Sequence, residues 1–468
     1  MDKLFKNFKI DNNKFIYIPL YTFLKEKIEN KEIVKKLPSI RKVSNFLNIS
    51  SNTVAKSYSE LEKINYIKSS KGSGFFINSN FLFGKEEKTS NLENDDLYSN
   101  NHSLKIDFIN STPNFSFLPV SDIKYAINFI LDRDKEMALI NEGPLGNLEL
   151  REAINLSLQS LNIFTLTDNI HILSGAQQGI DLISKTLAFS KDIIVVESPT
   201  YLGAVKSFKS QDLTIETIDL EKDGLNISQL EKILLKRKIK FIYLMANFQT
   251  PTGINLSLEK RKKLLLLAEK FDFFIIEDDS SSDLYYSDLP PLPLKSLDQN
   301  DRVIYIKSFS KIFMPGFRLG FIIVPKILLS SFLNNKFLSD INTSTLYQKS
   351  YAFLLNSGLI DKHMNSCRKK LKIIQESIIK ELSQIPNIKY YPPSGGCSIW
   401  IELPENISSK SIYNKLLIDK VGIVPGLDYE MDNFIKLNFS RIEKRDISNG
   451  ISLLKNAIKF FENLNIEE

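Results

Sequence analysis

Short apolar runs that end in glycine, proline or carboxylate residues recur between residues 170 and 279. Runs of this length predict buried strands, and the four are Ile170–Leu173, Ile193–Val196, Phe241–Ala246 and Phe273–Ile276. Behind the first run, the apolar residues Ile180, Leu182, Ile183 and Leu187 follow a helical pattern. The chain is therefore expected to form an open α/β sheet, in which ligands gather at the carboxyl ends of the strands.

The first eighty residues have a different pattern, that of three short helices followed by a hairpin. The apolar positions Leu20, Leu24 and Ile28 predict the first helix, and Ser39 is a suitable N-cap for a second one that reaches residue 47. A third helix, from residue 51, begins with polar side chains, which is where a recognition helix meets base edges. Residues 66–77 predict two strands around a glycine-containing turn, the wing.

Charge supports this division of the chain. Residues 1–80 contain fifteen Lys/Arg and seven Asp/Glu, a net charge of +8, whereas the whole chain carries +6. The positive balance thus lies entirely in the N-terminal part, as a DNA-phosphate-binding surface requires. Lysine is abundant throughout the chain, so charge alone would be a weak argument.

The domain boundaries follow from composition. We expect a winged helix-turn-helix domain over residues 1–80, a polar linker over 81–105 and a large domain over 106–468, with a smaller subdomain from about residue 330. The sequence has no run of eighteen apolar residues and no signal-peptide core, which predicts a cytoplasmic protein that does not contact membranes. Two cysteines give no disulfide framework, and three scattered histidines indicate no metal site.

The most informative motif is the segment from Ser308 to Gly320. Lys311 lies among small hydroxyl residues, seven positions before Arg318. A Schiff-base lysine must be neutral near pH 7, which a neighbouring cation or desolvation favours. Serine hydroxyls with an arginine fork suit a dianionic phosphate. Taken alone, a lysine between serines is more often a solvated loop residue.

The strand ends upstream strengthen the hypothesis. Asp278 ends an apolar strand and could keep a pyridine nitrogen protonated, the usual partner of pyridoxal phosphate; the alternative is an acid that caps a helix. Gly175 opens a helix whose first amides could bind phosphate. Tyr201 follows another strand and could lie on a cofactor ring, and a further strand ends in the turn Thr250–Gly253.

Four strand-end motifs in this order resemble the fold type I aminotransferases, the aspartate aminotransferase superfamily, from about residue 105 onward. The resemblance implies pyridoxal 5'-phosphate bound to Lys311, with Asp278 on the pyridine nitrogen and Tyr201 on the ring face. The further cofactor contacts that it implies are Gly175, Ala176, Gln177, Ser308, Ser310 and Arg318.

The N-terminal residues resemble the winged helix-turn-helix of GntR-type repressors, and the whole chain resembles the MocR/GabR branch of that family. Family likeness implies a homodimer, an operator in double-stranded DNA and a small-molecule effector. The expected DNA-binding residues are Arg41, Ser51, Asn52, Thr53, Lys56, Lys71 and Gly72. Among them, Arg41 and Lys56 suit phosphates better than bases.

Departures from the family pattern bear on activity. Ser280 stands where the family has a tyrosine that holds the cofactor phenolate oxygen. Thr250 replaces the asparagine before the Pro-Thr-Gly turn, and Asn141 replaces a tyrosine that reaches the other subunit's phosphate. Lys436 stands where the family has the arginine that binds a substrate carboxylate. Its ammonium group is a point charge, whereas the guanidinium of arginine is a planar fork that makes two bonds. Arg441 lies near enough in sequence to supply that fork.

These departures favour a regulator that holds the cofactor and senses either pyridoxal phosphate or a small amine, with little or no transamination. An active aminotransferase with an accessory DNA-binding head is the alternative, and a regulator with an empty, decayed pocket is the third hypothesis. The joint presence of Asp278, Lys311 and Arg318 argues against the third, because a purely structural core gains nothing from a buried lysine and an unpaired acid.

Overall fold

A computed structural model describes nine stretches of the chain: 2–5, 8, 16–30, 32–33, 35–64, 66–70, 74–77, 104–310 and 314–464. The chain divides into two compact units, Met1–Asn100 and Asn101–Glu468. Lys311, the wing residues Lys71 and Gly72, and residues 81–103 of the expected linker lie outside the described residues. No helix in the described stretches is both long and apolar enough to cross a bilayer.

The first unit contains the three expected helices and a two-stranded antiparallel sheet. Its helices are α1 (Asp2–Phe5), α2 (Tyr17–Glu29), α3 (Ile40–Leu47) and α4 (Ser51–Lys63), and its strands are β1 (Ile67–Ser70) and β2 (Gly74–Ile77). The expected cap Ser39 accepts a hydrogen bond from the Lys42 amide at 3.4 Å, and Ser50 accepts one from the Thr53 amide at 3.1 Å. These caps fix where α3 and α4 begin.

Apolar side chains from all the longer elements of the first unit form one core. Leu20 and Leu24 of α2, Val54 of α4 and Ile67 of β1 are all buried in it. The Tyr58 hydroxyl crosses this core and donates to the Pro38 carbonyl at 2.7 Å, so the turn before α3 is tied to α4.

The second unit is built on an eight-stranded sheet of order β4-β11-β10-β9-β8-β5-β6-β7. Its strands are β4 (Ile170–Leu173), β5 (Ile193–Ser198), β6 (Thr214–Glu221), β7 (Gly224–Leu225), β8 (Phe241–Leu244), β9 (Phe274–Asp278), β10 (Val303–Ser308) and β11 (Gly320–Ile323). Strands β6, β5, β8, β9 and β10 run parallel, and β7 and β11 are antiparallel to their neighbours. All four predicted strands are present in this sheet.

Helices cover both faces of the sheet. They are α5 (Val120–Asp134), α6 (Leu148–Gln159), α7 (Ala176–Leu187), α8 (Leu202–Ser210), α9 (Ile227–Leu234), α10 (Leu258–Phe271), α11 (Leu329–Ser339) and α12 (Thr345–Asn356). Successive residues of a strand point to opposite faces, and accordingly Ile275 packs in the core with α9 and α10 while Ile276 packs in the core with α7 and α8.

A four-stranded antiparallel sheet of order β12-β13-β16-β15 forms the smaller subdomain. Its elements are α13 (Leu359–Leu382), β12 (Lys389–Tyr390), β13 (Ser398–Glu402), α14 (Ser409–Ile418), β14 (Val421–Gly422), β15 (Val424–Pro425), β16 (Phe434–Asn438) and α15 (Lys444–Leu464). Strand β3 (Ile106–Asp107) pairs with β14, so the start of the second unit returns to this subdomain.

The expected start of the smaller subdomain near residue 330 is wrong. Phe332 of α11 lies fully buried in the core with Ile304 and Ile322 of the large sheet. Lys349 of α12 forms an ion pair at 2.9 Å with Asp134, at the end of α5. Both helices therefore belong to the large subdomain, because the apolar and charged groups that hold them lie there, and α13 is the element that leads out of it.

Candidate functional site

The first part of the site is a cup at the carboxyl ends of β4 and β10. The Arg318 Nη1 lies 3.3 Å from Ser310 Oγ, and its Nη2 lies 3.4 Å from the Ser174 carbonyl oxygen. The Ser310 amide donates to Ser308 Oγ at 3.2 Å. Gly175 has a φ of +92°, and a Cβ there would lie 2.8 Å from Arg318 Nη2. Glycine thus lets the arginine close over the start of α7.

The cup suits an anion. Among the described residues, Arg318 forms no ion pair with a carboxylate, so its charge is available. The first amides of α7, including those of Ala176 and Gln177, have no partner within the helix and carry partial positive charge. The Gln177 Nε2 donates to the Gly203 carbonyl at 2.9 Å, while its buried Oε1 has no hydrogen-bond partner among the described residues. The cup therefore offers a guanidinium, two hydroxyls and backbone amides to a phosphate-sized group.

Asp278 forms the second part of the site, at the end of β9. It is 3% exposed and accepts hydrogen bonds from the Tyr243 hydroxyl at 2.8 Å, the Ser280 amide at 3.1 Å and the Ser280 hydroxyl. These three donors hold the carboxylate in place at the end of the strand. A carboxylate in such a position is the usual partner of a protonated pyridine nitrogen.

Tyr201 connects the two parts. Burial raises the pKa of its phenol, the Asp278 carboxylate raises that pKa further, and the Arg318 guanidinium lowers it. The aromatic ring thus lies within electrostatic range of both charged groups. A Cβ on Gly203 would lie 2.5 Å from ring and hydroxyl atoms of Tyr201, so glycine leaves room for the ring.

Lys436 lies on β16, opposite Trp400 of β13 and Val424 of β15. It is 7% exposed, and burial lowers the pKa of its ammonium group to about 8. No carboxylate of the described residues pairs with it. The rings of Trp400 and Tyr429 lie 5.4 Å apart between centroids, and Tyr429 also acts on the Tyr201 phenol. Tyr429 thus connects this part of the small sheet with Tyr201.

The other departure positions are used differently. Arg441 is already engaged, because it lies 3.3 Å from the Asp107 carboxylate and stacks 4.6 Å over the Phe115 ring. Asn141 is exposed and Thr250 is half-buried before Pro251. Ser280 donates to Asp278 through its amide and its hydroxyl, which is a different task from that of the expected tyrosine.

Sequence analysis missed three groups near the site. Tyr243, the donor to Asp278, is a hydroxyl in an otherwise apolar strand. Glu197 accepts from the Met245 amide at 3.1 Å and from Gln249 Nε2 at 3.2 Å, and burial raises its pKa to about 8. Lys307 lies 2.8 Å from Asp283 and 3.7 Å from Asp279. The available signal was a single polar residue within an apolar run.

The candidate DNA-binding residues of the first unit lie along the start of α4 and on α3. Arg41, Asn52 and Lys56 are exposed, and the ammonium group of Lys56 lies 4.0 Å from the centroid of the Tyr17 ring. Two hydroxyls are partly used by the fold, since Ser51 donates to Ser44 Oγ at 3.2 Å and Thr53 Oγ1 lies 2.8 Å from Ser50 Oγ. Arg41 and Asn52 therefore have the fewest contacts within the described part of the unit among these residues.

Comparison with known proteins gives matches for both units. The family model described as aminotransferase class I and II matches residues 120–454. The chain is 33% identical to aromatic-amino-acid aminotransferase 1 of Thermococcus litoralis, over 66% of this chain and 75% of that protein. It is 28% identical to the HTH-type transcriptional regulator YcxD of Bacillus subtilis, over 94% of this chain and 98% of that one.

A solved structure is also similar to the second unit. The kynurenine aminotransferase of Pyrococcus horikoshii, crystallised with PMP, aligns with a TM-score of 0.75 and 30% identity over 78% of this chain and 94% of that one. The aminotransferase relatives cover only the larger part of the chain, whereas the regulator covers nearly all of it.

Proposed function

The chain belongs to the aminotransferase class I and II family, and we propose that it is a DNA-binding transcriptional regulator within that family. The proposal assigns it to the MocR/GabR branch of GntR-type regulators, with a winged helix-turn-helix head. The observation that carries it is the match to an HTH-type regulator over 94% of the chain, compared with 66% for the aromatic-amino-acid aminotransferase. The exposed polar start of α4 supports the same conclusion.

The cofactor is pyridoxal 5'-phosphate, and the described residues fit it. The phosphate suits the cup of Gly175, Ser308, Ser310 and Arg318, and Asp278 suits the protonated pyridine nitrogen. When bound, the cofactor supplies an aldehyde that forms a Schiff base with an amine and an electron sink. In this proposal Lys311 provides that amine, and Tyr201 lies against the ring.

A sensor needs only to bind its effector unequally in two arrangements, and turnover is not required. The residues around the cofactor are adapted for capture more than for processing: Lys436 replaces a planar fork, and Arg441 is bound to Asp107. We propose pyridoxal phosphate itself as the first-choice effector, with a small amine as the second. A carboxylate on such an amine would meet Lys436.

We also propose that the protein is a homodimer joined through the second unit. Exposed apolar side chains concentrate on α5, the turn after it and α6: Val120 67%, Tyr125 59%, Met137 57%, Leu139 68%, Leu148 52% and Leu156 66% exposed. A surface of this kind marks an association site in a soluble protein. Sedimentation should give a dimer for wild type and a monomer for Leu139→Lys with Leu156→Lys.

The decisive experiment is operator selection from a random duplex library with the full-length protein, followed by fluorescence anisotropy with and without pyridoxal phosphate. We expect one enriched sequence and an affinity that changes with the cofactor. Asn52→Ala should lose about tenfold in affinity, while the matched variant Asn45→Ala, on the exposed side of α3, should not. Failure to enrich any sequence would overturn the regulator proposal.

An active aminotransferase is the competing function, and the 33% identity to an aromatic-amino-acid aminotransferase favours it. An absorbance spectrum with pyridoxal phosphate, for wild type and Lys311→Ala, separates the two. A Lys311-dependent visible band that survives addition of amino acids supports the sensor. Rapid loss of the band with formation of the pyridoxamine form would make the enzyme the better description.

A further inference from the structure

A second cavity lies on the opposite face of β10 from the cup. Ser308 points into the cup, and its neighbour Lys307 points the other way because successive strand residues alternate. The cavity has a volume of about 200 Å³ and is bounded by β10, β11, the end of α6, α12 and the first half of α13. It is therefore separated from the cofactor site by the thickness of one strand.

The wall of the cavity combines rings with charges. Phe309 stacks on Tyr351 at 4.3 Å and lies 5.7 Å from Phe321. On the floor, Lys307 is 6% exposed and is held by Asp283 at 2.8 Å. Lys307 is buried, whereas its partner Asp283 is 35% exposed toward the cavity. Burying a lysine costs desolvation free energy unless it is well bonded, so a wall made only for packing would not be expected to contain one.

Two further charged groups at the mouth of the cavity have no oppositely charged partner among the described residues. Arg368 donates from Nη1 to the Asp283 carbonyl at 3.0 Å and from Nη2 to Asn365 Oδ1 at 2.7 Å, and it stacks 4.2 Å over the Tyr285 ring. These acceptors are neutral, and no described carboxylate pairs with the guanidinium. Asp361 is exposed and forms no ion pair with a described residue. The two lie seven residues apart on α13, which places them on one face of that helix, about 10 Å apart along its axis.

We propose that this cavity is a second small-molecule site, for an apolar zwitterion of the size of an amino acid. The Arg368 fork would take the carboxylate, Asp361 and Asp283 would face the ammonium group, and the rings of Phe309 and Tyr351 would cover the apolar body. The volume is below the roughly 300–1,000 Å³ of drug-sized sites, which limits the ligand to a small one.

The surrounding contacts give such a ligand a route to the rest of the unit. Arg368 and Lys372 of α13 hold the carbonyls of Asp283 and Tyr286, at 3.0 and 3.1 Å. The Tyr286 hydroxyl in turn donates to the Gly396 carbonyl of the smaller subdomain. A ligand that binds Arg368 would thus act on residues 283–286, which contact the smaller subdomain through Tyr286. It would also touch Phe309, which directly follows Ser308 of the cup.

The test uses isothermal titration calorimetry on the full-length protein with L-phenylalanine as the probe, alongside 3-phenylpropionate and phenethylamine, which each lack one charge. We expect L-phenylalanine to bind, and to bind more tightly than either single-charge analogue. Arg368→Gln should weaken its binding about tenfold, the usual effect of losing one charge-assisted hydrogen-bonded contact. The matched variant Lys369→Gln, whose side chain is exposed on α13, should bind as wild type does.

A second variant keeps the proposal testable if Arg368→Gln disturbs the fold. Ser157 is exposed on α6 at the cavity rim, and Ser157→Phe should block the space and abolish binding. The proposal is overturned if wild type does not bind the probe at millimolar concentration. It is equally overturned if Lys436→Gln weakens binding while Arg368→Gln does not, because the probe would then occupy the cofactor side. None of these outcomes depends on DNA binding.

Discussion

The two units of the chain use charged side chains in opposite ways. In the described part of the first unit, the buried polar residues are two serines, Ser44 and Ser57, and every charged side chain is at least partly exposed. The second unit buries many charged residues: Arg151, Glu197, Arg261, Glu277, Asp278, Asp279, Lys295, Lys307, Lys336, Lys349 and Lys436. Charged residues therefore lie at the surface of the first unit, whereas many of those in the second unit lie in its interior.

Size explains the difference. A small unit buries a smaller fraction of its surface and has few positions where a charge could be surrounded by partners. A large α/β unit can surround each buried charge with hydrogen bonds, as with Arg261, which donates to the Leu256, Ala246 and Leu292 carbonyls and to Asn247. A charged side chain without a partner is therefore informative in the second unit and ordinary in the first.

The largest effect is expected when a buried charged side chain with all its hydrogen bonds made is replaced by an apolar one. Arg261→Met should lower the free energy of unfolding of the second unit by ~3–5 kcal/mol, because it removes four hydrogen bonds of a buried guanidinium and a positive charge that acts on Glu277 and Asp279. The single tryptophan, Trp400, lies in this unit and reports its urea unfolding by fluorescence. Lys262→Met, exposed next to it, is the control, and an equal midpoint for both variants would contradict the argument.

The second prediction concerns Glu197, a buried acid with no cation partner among the described residues. Its folded-state pKa of about 8 lies above the usual 4.5, so the folded state binds the proton more tightly. The stabilisation is present below pH 4.5 and is lost as pH rises through 8. Between pH 6 and 8 the free energy of unfolding should fall by about 2 kcal/mol in wild type relative to Glu197→Gln. Parallel pH profiles for the two proteins would show that Glu197 is not the source.

The third prediction concerns Arg318, a charged residue of the second unit that pairs with no described carboxylate. Arg318→Gln should weaken pyridoxal phosphate binding about tenfold, because the cup loses its two-bond contact with an anion. Equilibrium dialysis measures this directly, without any activity. Lys209→Gln removes the same charge from the exposed end of α8 and should leave the affinity unchanged; a similar loss in both would mean that overall charge, not the cup, attracts the cofactor.

The smallest effect is expected on the first unit. Arg41→Ala should reduce the slope of log affinity for DNA against log salt by roughly 0.9, the value for one phosphate contact. The stability of the unit should hardly change, because the side chain is exposed and makes no described bond. Lys63→Ala, at the far end of α4, provides the comparison. If both variants give the wild-type slope, Arg41 does not meet the DNA backbone.

Local pattern was sufficient for several parts of the structure. Strand ends could be located because an apolar run and the polar residue behind it are adjacent in sequence, as for Phe274–Asp278. Helix starts were equally local, since Ser39 and its partner amide are three residues apart. The grouping of Gly175, Ser308 and Arg318 was predictable because strand ends meet at one edge of a sheet.

Local sequence pattern was therefore enough to predict the α/β fold, the helices of the first unit and the residues at the strand ends. The three-dimensional contacts were needed to find that Tyr243 donates to Asp278, that Lys307 pairs with Asp283 and that Arg441 pairs with Asp107. They were also needed to find that α11 and α12 pack with the large sheet. Each of these depends on strand order or on contacts between residues far apart in the chain. Local propensity and periodicity carry no information about such partners, because pairing across a sheet is fixed by the packing of the whole unit.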